Sequence, residues 1–190
     1  MSDLHPAATF EETDSISDLI NLAKRQPFDL IVLDVHLTDG NTLTVLSVLR
    51  ALLPSAKILF FTMCPEDVYG KRVLHNGADG FLNKRADEAE LQEAVETVLA
   101  GEKYISRKLQ RQMADEVITK KMSNPFDRLS DREFEVMLLL LQGRSLTEIA
   151  SDICIQVSTV STHKIRLFDK LNITSLMELS KVAGAYGIVP

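Results

Sequence analysis

The sequence of 190 residues lacks the features that mark secreted and membrane proteins. It has only two cysteines, Cys64 and Cys154, and because they lie far apart without a partner spacing we expect both to be reduced and neither to bind a metal. No apolar run reaches the roughly eighteen residues that a membrane span needs. The first residues, M-S-D-L-H-P, do not form a basic stretch followed by an apolar core, so we expect no secretory signal and a cytoplasmic location.

An excess of positive charge is missing as well. The net charge at pH 7 is -6, and residues 126–190 contain seven Lys/Arg and eight Asp/Glu. Composition alone therefore does not predict a nucleic-acid-binding protein. The charge is uneven, however, because Ser158–Leu171 contains three Lys/Arg and only one Asp. Since salt screens charges beyond about 8–10 Å, this local excess matters more than the sum.

The sequence also shows no nucleophile beside a base and no glycine-rich phosphate loop, so it does not predict an enzyme. What it does have is an ordinary globular composition, with 45% hydrophobic and 25% charged residues. Its length suits one large or two small domains, and its two halves differ in pattern, which favours two.

The N-terminal half contains three continuous apolar runs, L-I-V-L-D at 30–34, K-I-L-F-F-T at 57–62 and G-F-L-N-K at 80–84. Continuous runs are typical of parallel strands that are buried on both faces. Amphipathic helical patterns separate them, at Ser15–Arg25, Thr42–Ala51, Glu66–Asn76 and Asp87–Leu99. This alternation predicts a doubly wound, flavodoxin-like α/β sheet.

A carboxylate, a hydroxyl and an amine follow these runs, at Asp34, Thr62 and Lys84. The carboxyl ends of parallel strands share one edge of a sheet, where ligands bind, so we expect the three groups to meet. A carboxylate can form an aspartyl-phosphate, and the other two groups can stabilise the phosphoryl oxygens.

The pattern changes after Gly101. We expect a first domain over residues 1–102, a linker over 103–126 with a polar helix at about 107–121, and a second domain over 127–190. Ser123-Asn124-Pro125 ends the linker helix, because proline cannot continue a helix and restricts the residue before it.

The second domain has no strand signal. A Ser-x-x-Glu capping-box pattern begins at Ser130, Ser145 and Ser175, and each precedes an apolar periodic stretch. The domain is therefore predicted to be all-α, with four helices at about 131–142, 146–153, 158–171 and 175–186.

A short helix, a tight connection and a longer helix over Ser145–Leu171 indicate a helix-turn-helix unit that reads a DNA major groove. On the longer helix, Val160 and Leu167 share the inward face. The residues expected to face the groove are Ser158, Ser161, Thr162, Ile165 and Arg166. The residues expected to contact phosphates are Thr147, Thr159, Lys164 and Lys170.

The last helix carries an apolar stripe of Leu176, Leu179, Val182 and Ala183. This stripe fits either packing within the helical domain or a dimer seam. A dimer is expected physically, because one small helix-turn-helix unit covers only a half-site.

The runs that end at Asp34, Thr62 and Lys84, together with G-A-D-G-F at 77–81, resemble the receiver domain of two-component response regulators. L-S-D-R-E-F-E-V-M at 129–137 and T-V-S-T-H-K-I-R-L-F-D-K-L at 159–171 are similar to the LuxR/NarL (FixJ) helix-turn-helix, in the form of its BvgA/EvgA branch. The resemblance covers nearly the whole chain.

The resemblance implies a role for each matching residue. Asp34 would be the phospho-acceptor, Thr62 the switch hydroxyl, Phe81 the aromatic ring that moves inward, and Lys84 the phosphate-sensing lysine. It further implies Mg²⁺ as a cofactor, a sensor histidine kinase and promoter DNA as partners, and a homodimer that uses the last helix. The protein would then be a transcription regulator.

The chain departs from the family pattern at its start. It has no counterpart of the family's first strand with its two acidic residues, nor of the first helix, and begins at the second strand, near Ala7–Phe10. Asp3, Glu11 and Glu12 are candidates for Mg²⁺ ligands by composition only. Without Mg²⁺ the charge that develops in phosphoryl transfer is poorly compensated, so we expect phosphorylation of Asp34 to be impaired.

The missing strand lies in the middle of the family's 2-1-3-4-5 order, which would leave backbone groups of two neighbours unpaired. Three interpretations remain open: a truncated version of a full regulator, a natural receiver whose second and third strands pair directly, or a strand supplied by another chain.

An alternative function is that of a protein-interaction antagonist, which would dimerise with an intact response regulator without binding DNA. The near-neutral charge of residues 126–190 keeps this alternative open.

Overall fold

The structure is a computed structural model that describes residues 8–119 and 124–188. It divides the chain into two compact units, Met1–Arg111 and Gln112–Pro190. Within the described ranges, no helix combines the length and the apolar character that crossing a membrane requires.

The first unit is built from short strands and helices in alternation. Its strands are β1 (Leu30–Leu33), β2 (His36–Leu37), β3 (Gly40–Asn41), β4 (Lys57–Thr62) and β5 (Gly80–Asn83). Its helices are α1 (Ile16–Arg25), α2 (Leu46–Leu52), α3 (Glu66–His75) and α4 (Glu88–Leu99), and the helix α5 (Arg107–Thr119) begins in it.

Strands β1, β4 and β5 form a parallel sheet in the order β1-β4-β5. Leu59 and Leu82 pack with Val95 and Val98 of α4 on one face. Phe60, the neighbour of Leu59 on β4, alternates to the other face and is fully buried as well. Burial on both faces explains the continuous apolar runs and confirms the α/β fold that they predict.

The described part of the strand expected near Ala7–Phe10 does not form a strand. Residues 8–10 belong to no strand, and Ala7 lies outside the described residues. Residues 9–13 and β1 line one cavity of about 460 Å³ instead of bonding to each other. Among the described residues, the strand neighbour of β1 is β4 alone, so a direct pairing of the second and third strands is not seen there.

The loop after β1 also differs from expectation. The helix predicted at Thr42–Ala51 is a short 3-10 turn, Thr42–Thr44, followed by α2. Before it, β2 and β3 form an antiparallel hairpin in which Leu37 pairs with Gly40, so that Thr38 and Asp39 form the turn. The Asp39 carboxylate accepts hydrogen bonds from the backbone N–H groups of Ile16 (2.6 Å) and Ser17 (3.1 Å), so the hairpin holds the start of α1.

At the amino end of β5, the Asp79 carboxylate accepts from the backbone N–H of Ile58 at 2.9 Å and from the Lys103 ammonium at 3.1 Å. It also forms an ion pair with the Arg50 guanidinium, whose Nε donates to the carbonyl of Gly77 at 2.7 Å. These bonds join α2 to the starts of two strands.

Helix α5 is tied to α3 at its first turn. Ser106 Oγ donates to the Glu66 carboxylate at 2.6 Å, and Leu109 is buried against Gly70, where an added Cβ would lie 2.7 Å from Leu109 Cδ2. The linker helix was expected at about 107–121, and positions 120–121 lie outside the described residues.

The second unit is helical throughout its described residues. A 3-10 turn at Pro125–Arg128 precedes α6 (Asp131–Leu141), α7 (Leu146–Asp152), α8 (Val157–Leu171) and α9 (Leu176–Ala185). Helix α6 packs on α7, α8 and α9. The buried side chains include Phe134, Met137, Ile149, Val160, Leu167 and Leu179.

Two of the three predicted capping boxes are complete, at Ser130 and Ser145. At the third, Ser175 accepts from the backbone N–H of Glu178, but the Glu178 carboxylate reaches one residue further and accepts from the backbone N–H of Thr174 at 2.6 Å. The third cap is therefore a one-sided version of the predicted box.

Candidate functional site

The three polar residues predicted to meet at the carboxyl edge of the sheet do meet there. The Thr62 hydroxyl donates to Asp34 Oδ1 at 2.5 Å, and the Lys84 ammonium donates to Asp34 Oδ2 at 2.7 Å. Thr62 ends β4, while Asp34 and Lys84 directly follow β1 and β5. The parallel direction of the strands brings the three side chains together across 50 residues of sequence separation.

The Asp34 carboxylate is ionised at neutral pH. Partial burial raises its pKa, but the hydrogen bonds from Lys84 and Thr62 and the charge of Lys84 outweigh burial and hold the pKa below its ordinary value. About a quarter of the side chain, 28%, is exposed, so an incoming group can reach it. The site therefore presents a charged, accessible carboxylate beside a cation.

Thr42, which the sequence did not single out, holds the backbone of Asp34 in place. Its hydroxyl donates to the backbone carbonyl of Asp34 at 2.7 Å, and its backbone N–H donates to the carbonyl of Val35 at 2.9 Å. Thr42 is fully buried. A buried hydroxyl eight residues after Asp34 carries no signal in a single sequence, because its partner is a backbone group.

Phe81, the expected switch ring, is fully buried on β5 opposite Phe60 of β4. Lys84 instead lies near another ring, with Nζ 6.0 Å from the centroid of Phe61. The backbone N–H of Lys84 donates to the carbonyl of Thr62 at 2.9 Å, which extends the pairing of β4 and β5 up to the site.

Among the described residues, no three His, Cys, Asp or Glu side chains come together in a way that could hold a metal ion. Glu11 and Glu12 line the cavity that also reaches Asp34, yet they do not complete such a group, and Asp3 lies outside the described residues. Both oxygens of Asp34 are engaged by Thr62 and Lys84. The described residues therefore do not assemble a Mg²⁺ site beside Asp34.

In the second unit, α7 and α8 are joined by a tight connection at residues 153–156. Cys154 there has a φ of 53°, a left-handed conformation that few non-glycine residues adopt. Gln156 precedes α8 without capping it through its side chain. Val160 and Leu167 are fully buried and anchor one side of α8 to the unit.

The opposite side of α8 faces outward. Ser158, Thr162 and Arg166 are exposed, Ser161 is half-buried, and Ile165 has 59% of its surface exposed. The Thr162 hydroxyl donates to the carbonyl of Ser158 at 2.9 Å. The five residues predicted to read the groove thus share a side of α8 that the unit does not cover.

The four predicted phosphate contacts differ in their surroundings. Thr147 and Thr159 are exposed near the starts of α7 and α8. Lys164 is half-buried, with Nζ 5.4 Å from the ring centroid of Phe168. Lys170 donates to the buried Glu133 carboxylate of α6 at 2.6 Å, so its charge is already paired within the unit.

The predicted dimer seam needs a correction. Leu179 and Ala183 of α9 are fully buried within the unit, so they pack the domain core and are not available to a second chain. Leu176 remains 46% exposed and Val182 half-buried. Met177, which the helical stripe did not include, is 71% exposed.

Comparison with known families matches both units. Residues 5–96 match the response regulator receiver domain, and residues 127–183 match the bacterial regulatory proteins of the luxR family. Response regulator GacA of Pseudomonas aeruginosa is 30% identical over 190 residues, which cover 100% of this chain and 89% of GacA. Response regulator UvrY of Escherichia coli K12 is 26% identical over 189 residues, which cover 99% of this chain and 87% of UvrY.

Solved structures of the response regulator RcsB share the fold. RcsB of Salmonella typhimurium aligns with a TM-score of 0.73 and 22% identity over 93% of this chain and 82% of its own. RcsB bound to promoter rprA in the presence of phosphomimetic BeF3- aligns with a TM-score of 0.71 and 23% identity over 89% of this chain and 81% of its own. The chain therefore belongs to the LuxR/NarL (FixJ) family of two-component response regulators, DNA-binding proteins in which a receiver domain precedes a helix-turn-helix domain.

Proposed function

We propose that this regulator binds promoter DNA through the exposed side of α8, and that the receiver domain controls this binding through Asp34. The observation that carries the proposal is the outward side of α8, where small polar residues, Ile165 and Arg166 lie opposite the buried Val160. A helix anchored on one side and polar on the other can enter a major groove. DNA as the ligand also supports a cytoplasmic location.

Each part of this surface has an expected role in binding. Arg166 is placed to donate to guanine or to a phosphate, and Ile165 to contact a thymine methyl group. Thr147, Thr159 and Lys164 are expected to position the helix on phosphates, which carry no sequence information themselves. The RcsB structure bound to promoter rprA supports this mode by its shared fold.

We further propose residues 1–102 as the receiver domain, 103–126 as the linker and 127–190 as the DNA-binding domain. The protein would act as a homodimer, because two helix-turn-helix units are needed to cover two half-sites. Leu176 and Met177 are the exposed apolar residues of α9 that could meet across the dimer.

In the receiver domain, a sensor histidine kinase would supply the phosphoryl group. An Asp34 oxygen would form a bond to phosphorus while the bond from phosphorus to the donor breaks, and Lys84 and Thr62 would move onto the phosphoryl oxygens. Transfer is expected to be slow, because the described residues place the Lys84 cation at the acceptor but do not bring three His, Cys, Asp or Glu side chains together there to hold a metal ion.

Fluorescence anisotropy tests the DNA-binding proposal with a duplex selected from a random library by the full-length chain. Arg166→Ala should weaken binding at least tenfold, since one good side-chain contact to a base is worth about 1–3 kcal/mol. The matched control is Arg132→Ala, which removes the same charge from α6, where Arg132 pairs with Glu135 at 2.5 Å.

The proposal predicts that the control binds like the wild type. Equal losses of DNA affinity for both variants would mean that Arg166 contributes only its positive charge and not a specific contact from α8. If no duplex is selected and the wild type instead forms a complex with an intact response regulator, the antagonist function replaces the proposal.

A further inference from the structure

His163 on α8 carries a buried nitrogen that has no partner. The residue is half-buried, and its Nδ1 is the only buried side-chain nitrogen or oxygen among the described residues that makes no hydrogen bond. Nε2 of the same ring is not buried and has no hydrogen bond within the described residues either. Because buried polar atoms nearly always have a partner, this ring requires an explanation.

The surroundings of the two nitrogens indicate which of them carries the proton of the neutral ring. A neutral imidazole has one N–H donor and one acceptor nitrogen. A buried N–H group without an acceptor is rarer than an unused lone pair, so we assign the lone pair to Nδ1 and the proton to Nε2. His163 therefore directs an unused N–H donor to the accessible side of its ring.

His163 is in line with two residues of the proposed DNA-binding surface. Thr159 lies four residues before it and Arg166 three residues after it, so the three side chains follow one flank of α8. Both Thr159 and Arg166 are exposed. This flank adjoins the groove-facing side that contains Thr162. When a helix enters a major groove, side chains on its flanks can reach the phosphates at the rim of the groove.

We propose that the Nε2–H group of His163 donates a hydrogen bond to a DNA phosphate oxygen, between the contacts made by Thr159 and Arg166. The contact rests on the DNA-binding function proposed for α8. A phosphate contact fixes the position of the helix in the groove and reads no base. As a neutral donor, the ring differs from Lys164, because it neutralises no phosphate and releases no counterion.

Fluorescence anisotropy with the full-length chain and its selected duplex tests the contact. His163→Phe keeps an aromatic ring but has no donor, and it should weaken binding about tenfold, as expected for a hydrogen bond to a charged group. His163→Gln keeps a neutral donor and should bind close to the wild type. The dependence of affinity on salt should not change in His163→Phe, whereas Lys164→Met should reduce it. A reduced salt dependence in His163→Phe overturns the neutral contact.

Thermal stability separates this contact from a packing role. Replacing a buried nitrogen that has no partner with carbon should leave the Tm of His163→Phe unchanged or raise it. A variant that loses DNA affinity and keeps its Tm supports the proposal. Loss of affinity only in proportion to a lower Tm would assign the ring to packing and overturn it.

Neutral methylphosphonates placed singly in the duplex identify the phosphate. At the contacted position the substitution should weaken binding of the wild type and should not weaken His163→Phe further, because both changes remove the same bond. Additive losses at every position overturn the proposal. A loss for Arg166→Ala without one for His163→Phe overturns this contact alone, whereas failure of the wild type to select any duplex overturns the DNA-binding function as well.

Discussion

Two carboxylates of the receiver domain, at opposite edges of one sheet, have similar chemistry and different roles. Asp79 lies at the amino end of β5, has 12% of its side chain exposed, and is held by Arg50, Lys103 and a backbone N–H. Asp34 lies at the carboxyl edge, is 28% exposed, and accepts from the Thr62 and Lys84 side chains and, at 3.4 Å, from the backbone N–H of His36. The first accepts a ladder N–H at 2.9 Å, whereas the short bonds to the second come from two side chains, which a phosphoryl group can replace.

Perturbed pKa values do not distinguish the two sites. Burial raises the pKa of Asp79, but the bonds from Ile58, Arg50 and Lys103 outweigh it, so the net shift is downward, as it is for Asp34. A structural ion-pair cluster and a phospho-acceptor thus give the same electrostatic signature. The donors tell them apart, because the short bonds to Asp34 come from side chains at strand ends, which can move, whereas Asp79 accepts a short bond from a ladder N–H, which cannot.

The largest expected effect on stability comes from replacing Asp79. Asp79→Asn should lower the free energy of unfolding by about 3 kcal/mol, because removing one partner of a buried ion pair leaves the Arg50 charge uncompensated. Asp34→Asn should cost about 1 kcal/mol or less, because Lys84 is 40% exposed and can be solvated. Urea denaturation of both variants measures the two costs, and equal costs would contradict the distinction.

The pH dependence of the stability lost in Asp79→Asn tests whether the charge of Asp79 causes the loss. The folded-state pKa of Asp79 is depressed, so its stabilising contribution is present above the unfolded value of about 3.8 and is lost as pH falls through the folded value. The difference between wild type and Asp79→Asn should therefore be constant near neutral pH and shrink below about pH 4. A difference that persists unchanged in acid would point to packing and not to charge.

A smaller effect should separate Lys170 from Lys164 on α8. Lys170→Met should cost about 2 kcal/mol of stability, because it leaves Glu133, which is 3% exposed, without its cation. Lys164→Met should cost less than about 0.5 kcal/mol, because surface substitutions outside a buried network usually stay within that range. Thermal denaturation gives both values, and salt titration of DNA binding shows which lysine contacts phosphate.

For the DNA-binding proposal, Lys164→Met should reduce the salt dependence of binding and Lys170→Met should not, once both variants are compared at a temperature where they are folded. The reverse result would mean that the Lys170 ammonium leaves Glu133 when DNA binds.

Sequence patterns predicted the features that depend on residues close together in the chain. The runs at 30–34, 57–62 and 80–84 form strands because each apolar run is buried on both faces, and parallel strand direction then brings Asp34, Thr62 and Lys84 together. What the patterns missed depends on partners that lie far away in the sequence.

Three cases show this limit. The Asp79–Arg50 pair joins residues 29 apart, and nothing near either residue indicates the other. The sequence of α8 predicts a phosphate contact for Lys170, but it could not show that Glu133, 37 residues earlier, lies across from it. Leu179 shared an apolar stripe that fits a core or a seam equally well, and only the packing of α9 on α6 decides between them.

The smallest expected effect is a slow reaction at Asp34. Brief incubation with acetyl phosphate and Mg²⁺ should leave most of the chain at its unmodified intact mass, because the described residues do not bring three His, Cys, Asp or Glu side chains together around Asp34 to hold the cation. The Thr62 and Lys84 contacts would also have to open before a phosphoryl group could enter. Intact-mass spectrometry measures this directly. Rapid and complete conversion to a phospho-adduct that Asp34→Asn abolishes would contradict the expectation and give Asp34 the reactivity of a complete receiver, in contrast to Asp79, which stays structural.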